Sequence, residues 1–321
     1  MLKNVNSKIG KVVFFLYLYL CSAKEMEKIT KSMNKKPSIE DDYMVRLNAI
    51  TKYIDEHLEE ELDLKKMAKL SNFSDYHFHR IFKEYYNETL AAYISRNRVE
   101  RAAYLLRYTN SSIKDIAYKV GFEFPSSLSK VFKQFYDVTP SEYRLNKIIP
   151  VMDEKIRKKK MLVLGVNYSG IVMLKNMNII YNRLMGPYNV SRYPDVWQRL
   201  HKYAEEKNAN VNEPDFVIMY HNDINITETS KLRSDVCITI DKLIPAKGKI
   251  GVKEIIGGKY AVFAYKGPFV SHSEIFDTIF EEWKLNKQYE LRDLPIFEKY
   301  INNPMKTKPG RLNTEIYLPI R

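Results

Sequence analysis

Residues 121–133, GFEFPSSLSKVFK, change character twice within a few positions. Gly121 ends one apolar pattern, Pro125 opens another, and three serines lie between the aromatic anchors Phe124 and Phe132. Glycine tolerates a left-handed backbone and proline suits the first turn of a helix, so the stretch predicts a sharp turn leading into a new helix. Just upstream, Ser112 and Asp115 form a capping-box-like start for a short helix through Lys119. A single such unit is an ordinary pair of packed helices. Its meaning depends on whether the chain repeats it.

It does. Residues 64–89, LKKMAKLSNFSDYHFHRIFKEYYNET, align with residues 113–139, IKDIAYKVGFEFPSSLSKVFKQFYDVT, with one extra residue in the second turn. Leu64 matches Ile113, Met67 matches Ile116, Ala68 matches Ala117 and Phe73 matches Phe122; beyond the insertion Phe78 matches Leu128, Phe82 matches Phe132, Lys83 matches Lys133 and Thr89 matches Thr139. Asn72 stands at the first turn where Gly121 stands at the second, and asparagine also tolerates a left-handed backbone. Two copies of short helix, sharp turn and longer helix follow helix-turn-helix grammar, in which the second helix enters the major groove. Before them, Met44, Leu47, Ile50, Ile54 and Leu58 form one helical stripe, and Asp63 offers an N-cap to the next helix. Between them, residues 90–108 read as one helix that holds the two readers at a fixed spacing. A monomer then reaches two successive major-groove faces about 34 Å apart.

At this point the residues resemble the AraC-type transcriptional regulators. GFEFPSSLSKVFKQFYDVTPSEYR is similar to their C-terminal signature, and NFSDYHFHRIFKEYY with RNRVERAAYLL resembles their first helix-turn-helix and linker. Leu128 and Lys130 replace the more usual Phe and Arg, while Asn72, Asn87 and Asp137 stand where Gly is frequent; Asp137-Val-Thr-Pro resembles the Rob branch. The resemblance implies that Tyr76, His79 and Arg80 in the first recognition helix, and Ser126, Ser129 and Lys130 in the second, face base edges. In the repeat alignment His79 falls on Ser129 and Arg80 on Lys130. Arg80 is the fork-shaped donor suited to guanine O6 and N7. Lys83, Lys133 and Arg96 are expected at phosphates, which position without specifying. Phe78, Phe82, Phe122, Phe132 and Phe135 are expected in the core.

Charge alone does not identify this function. The net charge of +13 divides as 8 basic against 3 acidic residues over 1–40, 17 against 16 over 41–150, and 27 against 20 over 151–321. The segment expected to bind DNA is nearly neutral, so the placement of single basic side chains matters more than the total. Two cysteines, Cys21 and Cys237, cannot build a disulfide framework or a four-cysteine zinc site, and a reducing, cytoplasmic setting is expected. His77 and His79, two apart on a helix, point about 200° away from each other, unlike a helical metal pair. Residues 12–21, VVFFLYLYLC, behind Lys8 and Lys11 resemble the start of a secretory signal but are too short to span a bilayer. The reading preferred is an upstream extension over 1–40, with the functional start nearer Met26, Met33 or Met44 and no stable membrane association.

The C-terminal part carries a second repeat. The expected organisation is a DNA-binding domain over 41–147, a basic linker over 148–160 whose run Lys155 to Lys160 marks either the linker or a DNA-flanking patch, and an α+β domain over 161–321. Residues 181–206 echo residues 260–284: a strand, then Gly-Pro-aromatic, then a helix with Trp197 or Trp283 on its apolar side. Gly186-Pro187-Tyr188 and Gly267-Pro268-Phe269 anchor the match. Two such units in tandem tend to pack about a pseudo-two-fold axis with a cleft between them. This arrangement, with IFEKYINN and NTEIYLPI, resembles the GyrI-like small-molecule-binding domain. The resemblance implies that Glu298 is a buried glutamate that holds lipophilic cations among aromatic rings. Period-two spacing groups Glu298 with Tyr300, and Glu315 with Tyr317, on common strand faces; Trp197, Tyr220 and Trp283 are expected to complete the lining.

The expected fold is multidomain, an all-α double helix-turn-helix followed by an α+β GyrI-like domain. The expected function is a transcriptional regulator whose partners are double-stranded DNA at two adjacent major-groove sites and a small hydrophobic or cationic effector, with RNA polymerase a further partner consistent with the class. Two alternatives are a protein-interaction role for the C-terminal domain and a weak hydrolase. Catalysis is not expected: Cys237 has no histidine near it in sequence, Glu298 alone could serve only as a base, and neither a GxSxG motif nor a phosphate-binding glycine loop occurs. No cofactor or metal is expected.

Overall fold

The computed structural model describes residues 38–147, 154–209, 211–266, 272–284 and 288–321. The apolar run 12–21, Cys21, the alternative starts Met26 and Met33, and Gly267-Pro268-Phe269 lie outside the described residues.

The N-terminal half is helical: α1 (Ile39–Glu56), α2 (Leu64–Leu70), α3 (Asp75–Tyr86), α4 (Leu90–Tyr108), α5 (Ile113–Lys119), α6 (Pro125–Tyr136) and α7 (Pro140–Lys147). Its local signals act as the sequence predicts. The side chains of Asp63, Ser74, Thr89 and Ser112 cap α2 to α5 by accepting from Lys66, His77, Ala92 and Asp115 N–H groups. Pro125 opens α6. Asn72 and Gly121 adopt φ of 52° and 87° at the two turns, and in both the following phenylalanine N–H returns to the alanine carbonyl, Phe73 to Ala68 at 3.0 Å and Phe122 to Ala117 at 2.9 Å. At Gly121 a Cβ would lie 2.3 Å from the Leu58 carbonyl oxygen, so no larger residue fits there.

Each helix-turn-helix has its own core. Met67, Ala68, Phe78 and Phe82 are fully buried in the first, and their matches Ile116, Ala117, Leu128 and Phe132 are fully buried in the second. Helix α4 supplies Leu90, Tyr93 and Ile94 to the first core, and Val99, Ala102, Ala103, Leu105 and Leu106 to the second.

The basic run Lys155 to Lys160, read from sequence as a linker, lies within helix α8 (Glu154–Leu164), where Lys160 pairs with Glu281 at 3.2 Å. The remainder comprises β1 (Val166–Leu174), β2 (Met177–Met185), α9 (Tyr193–Glu206), β3 (Phe216–Tyr220), β4 (Arg233–Thr239), β5 (Ile250–Ile255), β6 (Gly258–Lys266), α10 (His272–Lys284), β7 (Ile296–Tyr300) and β8 (Asn313–Pro319). One antiparallel sheet runs β1-β6-β8-β7-β3-β4-β2-β5. With β2-α9-β3-β4 taken as one unit and β6-α10-β7-β8 as the other, this order is a palindrome about the β3/β7 pair. The sequence repeat is therefore a pseudo-two-fold, and Ile218 sits opposite Glu298 at its centre. Helices α9 and α10 pack on the same core, which takes the Ile218 and Glu298 face of the sheet; Phe297, Tyr317 and Tyr260 pack on the other face.

The two halves are joined by buried charge. Asp55 of α1 meets Arg233 at 2.6 Å and Arg183 at 2.9 Å, and Arg183 continues to Asp235 at 2.8 Å. Burial alone would raise the Asp55 carboxyl, but the two guanidinium groups hold it well below the usual carboxylate range. Tyr108 of α4 stacks on Phe280 of α10 with centroids 3.9 Å apart, beside the Arg107–Asp277 pair at 3.1 Å.

Candidate functional site

Two surfaces carry the candidate chemistry. On the helical half, α3 exposes Tyr76, with 81% of its surface accessible, together with His79, Arg80 and Lys83. Their neighbours Phe78, Ile81 and Phe82 point inward, so one face of α3 is free of structural duty. Helix α6 exposes Ser126, Lys130 and Lys133 in the same way, with Leu128 and Phe132 buried beneath. Ser129 is half-buried and donates its hydroxyl to the Pro125 carbonyl at 3.0 Å. His77 is turned inward, 3.0 Å from the Tyr43 hydroxyl and edge-on to Phe73, whereas His79 is exposed.

Two expectations for this half are corrected. Arg96 does not reach a phosphate surface: it is 6% exposed and bound by Glu88, at 2.7 and 3.2 Å, and by Glu100, at 3.2 Å. A partner one turn on and another at the preceding helix end consume its donors and desolvate it. Phe135 is 44% exposed rather than core, because the second unit fills its interior with Phe132 and Tyr136 instead.

In the sheet domain, Glu298 is 4% exposed at the middle of β7. The Tyr220 hydroxyl donates to it at 3.0 Å. Burial pushes the Glu298 carboxyl up to about 7, against the lowering effect of that hydrogen bond. Burial, with the nearby Glu298 charge, raises the Tyr220 phenol well above its ordinary value, so the hydroxyl keeps the proton it donates. Trp197 lies edge-on to Tyr300, centroids 5.1 Å apart, and its indole N–H is anchored on the Cys237 carbonyl at 3.0 Å. Tyr188 and Phe276 flank Tyr220 at 4.8 and 5.3 Å. A desolvated carboxylate inside a box of rings is suited to an apolar cation, which offsets the cost of its ionisation and gains cation–π attraction.

The sheet register separates two residues from this group. Glu298 pairs with Ile316, so Glu315 and Tyr317 project from the opposite face. There Tyr317 stacks on Phe297 at 4.6 Å and donates its hydroxyl to Glu315 at 2.6 Å. Each same-face pairing expected from period two holds within its strand, but the two pairs lie on different sides of the sheet. Trp283 is buried in the core shared with Trp197, 6.2 Å from Tyr289. Tyr188 and Phe276 were not among the expected lining residues, although the Gly-Pro-aromatic repeat already marked Tyr188. Cys237 is fully buried, and burial pushes its thiol up, which disfavours a nucleophilic thiolate. A cavity of about 480 Å³ between the two halves has Tyr104, Phe280 and Tyr220 among its lining residues, but not Glu298.

Comparison with known proteins agrees with both halves. A helix-turn-helix domain matches residues 67–146 and a GyrI-like small molecule binding domain matches residues 169–321. The regulatory protein SoxS of Salmonella typhimurium is 36% identical over 98 residues, which are 30% of this chain and 92% of that protein. The HTH-type transcriptional regulator YbfP of Bacillus subtilis is 34% identical over 111 residues, and the match spans 34% of this chain and only 38% of YbfP. Among solved structures, the DNA-binding domain of AdpA in complex with a target DNA is 26% identical with a TM-score of 0.31, covering 32% of this chain and 91% of that domain. The chain belongs to the AraC-type helix-turn-helix transcriptional regulators, and it carries a GyrI-like small-molecule-binding domain after the DNA-binding part. Among the described residues no helix is long and apolar enough to cross a membrane.

Proposed function

We propose that the protein is a one-component regulator that reads two adjacent major-groove faces of double-stranded DNA and senses a lipophilic cation at Glu298. Tyr76, His79 and Arg80 of α3 and Ser126 and Lys130 of α6 are the base-facing residues, with Ser129 contributing at the edge of its helix; Lys83 and Lys133 meet phosphates. The working division is a DNA-binding domain over 41–147 and an effector domain over 161–321. The observation that carries the effector assignment is Glu298, a nearly inaccessible carboxyl raised to about 7, hydrogen-bonded by Tyr220 and two residues from Tyr300, which Trp197 meets edge-on.

The test uses the full chain. Selection from randomised duplexes should enrich a site with two boxes about one helical turn apart. Titrating a quaternary ammonium with aromatic arms into that complex should change its DNA affinity, whereas an uncharged isostere should not. Enrichment of no duplex would refute the DNA reading, and an identical response to cation and isostere would refute the effector reading.

A further inference from the structure

We propose that the loop between β3 and β4, residues 221–232, sets the spacing and phase of the two recognition helices, so that the effector domain determines which separation of DNA boxes the protein accepts. This rests on the DNA-reading function proposed above and adds a specificity element to it.

The two helix-turn-helix cores share no buried residue; they meet through α4, which gives its first turns to one and its later turns to the other, and where the Gly121 turn closes on the Leu58 carbonyl. Packing along one helix fixes distance better than it fixes the rotation of each unit around that helix. The loop adds a tie at the other end, because it touches the C-terminal end of both recognition helices. Lys231 donates to the carbonyl of Tyr86, the last residue of α3, at 3.3 Å, and lies 3.6 Å from Glu88. Ile226 packs into the core of the second unit, and its carbonyl accepts from Tyr136, the last residue of α6, at 3.4 Å.

The same loop is also fastened to α4. Asn222 donates to Glu100 at 2.9 Å and Tyr108 donates to Asp223 at 2.6 Å. It is also stiff within itself. The Asn222 side-chain oxygen accepts from the Arg233 backbone at 3.1 Å and side chain at 2.9 Å, which closes the loop at its base. Asp223 gathers the N–H groups of Asn225, Ile226 and Thr227 at 2.7, 3.0 and 2.9 Å. Arg233, at the base, reaches back to Asp55 at 2.6 Å and to the Tyr93 hydroxyl at 2.8 Å.

The grips fall on helix C-termini, while the proposed reading residues of α3 and α6 lie nearer the N-termini, exposed except for the half-buried Ser129. The loop therefore acts on the geometry of reading without contacting a base. Tyr220, which donates to Glu298, immediately precedes it, and Tyr188 donates to the Asn222 carbonyl at 2.6 Å. The effector site stands at the foot of the spacer.

One base pair inserted between two boxes displaces the second by about 3.4 Å and turns it by about 35°. A rigidly spaced pair of readers then loses simultaneous engagement, which lowers affinity by about a hundredfold or more. The experiment compares the wild-type full chain with the double variant Ile226→Ala/Lys231→Ala, and with Lys231→Met as a milder variant that keeps the alkyl stem. The probes are the duplex selected by the wild type and its one-base-pair insertion and deletion. Circular dichroism confirms folding before binding is measured.

The wild type is expected to lose about a hundredfold on either altered duplex. The double variant is expected to lose less than about tenfold relative to its own affinity for the parent duplex, with Lys231→Met between the two. A purely structural role would lower affinity on all three duplexes alike. Unchanged discrimination in folded variants overturns the proposal, as does a wild type indifferent to the inserted pair. If the wild type selects no duplex at all, the DNA-reading function itself is refuted, and the spacer role with it.

Discussion

The two repeats of this molecule diverge in opposite places. The helix-turn-helix units keep one interior, with Met67, Ala68, Phe78 and Phe82 answered by Ile116, Ala117, Leu128 and Phe132, all fully buried. Their difference is outside, where His79 and Arg80 face Ser129 and Lys130 in alignment. The strand-helix units keep one frame, with Tyr220 answered by Tyr300, and differ inside, where Ile218 is answered by Glu298 at the pseudo-two-fold centre. DNA is a surface ligand, so a duplicated reader gains specificity by changing exposed residues over a preserved core. The small-molecule ligand proposed for the sheet domain is an interior one, and there the duplicated unit differs by one charge within a preserved core.

The largest effects test whether the helical interiors are equivalent. Phe82→Ala and Phe132→Ala should each destabilise their own unit by about 3–5 kcal/mol, measured by chemical denaturation. A large inequality between them would break the correspondence. Next, Glu298→Gln should weaken cation binding by about 2–5 kcal/mol while leaving an uncharged isostere unaffected. Arg80→Ala should cost about 1–3 kcal/mol and relax one base preference, whereas Lys133→Ala should weaken all sequences alike and reduce the salt slope by about 1. Equal losses from both on cognate and scrambled duplexes would erase the distinction between their roles.

Glu298 also predicts a pH dependence. Folded Glu298 holds its proton to about 7 against an ordinary 4.5, so between these values the unfolded state binds fewer protons and stability falls as pH rises. The cation binds the carboxylate, so its affinity should rise about tenfold per unit up to roughly pH 7 and then level off. Both slopes should vanish in Glu298→Gln. A flat wild-type profile from pH 5 to 7 would contradict the buried, desolvated state of this residue.

The helical half was legible because its signals are local. Caps, turn residues and the repeated apolar pattern predicted the second helix-turn-helix and the linker over 90–108. The first helix, expected from the stripe Met44 to Leu58, runs Ile39–Glu56, so Leu58 lies just beyond its end. Arg96 was misplaced because a helical position alone does not reveal that Glu88 and Glu100 converge on it. In the sheet domain the repeat predicted the two-fold, but register is a property of paired strands. Period two groups residues within a strand and cannot say that Glu298 meets Ile316, which sends Glu315 and Tyr317 to the other side. The grip of the β3–β4 loop on both helix-turn-helix units joins residues more than a hundred positions apart, as with Asn222 and Glu100 or Lys231 and Tyr86, and no local pattern announces it.

The most direct test of the central claim is calorimetric titration at pH 8 of the full chain and of Glu298→Gln with an aromatic quaternary ammonium and its tert-butyl isostere. The account predicts saturable binding of the cation to the wild type, a loss of about 2–5 kcal/mol in Glu298→Gln, and equal, weak binding of the isostere to both. Cation binding that survives Glu298→Gln undiminished would contradict it.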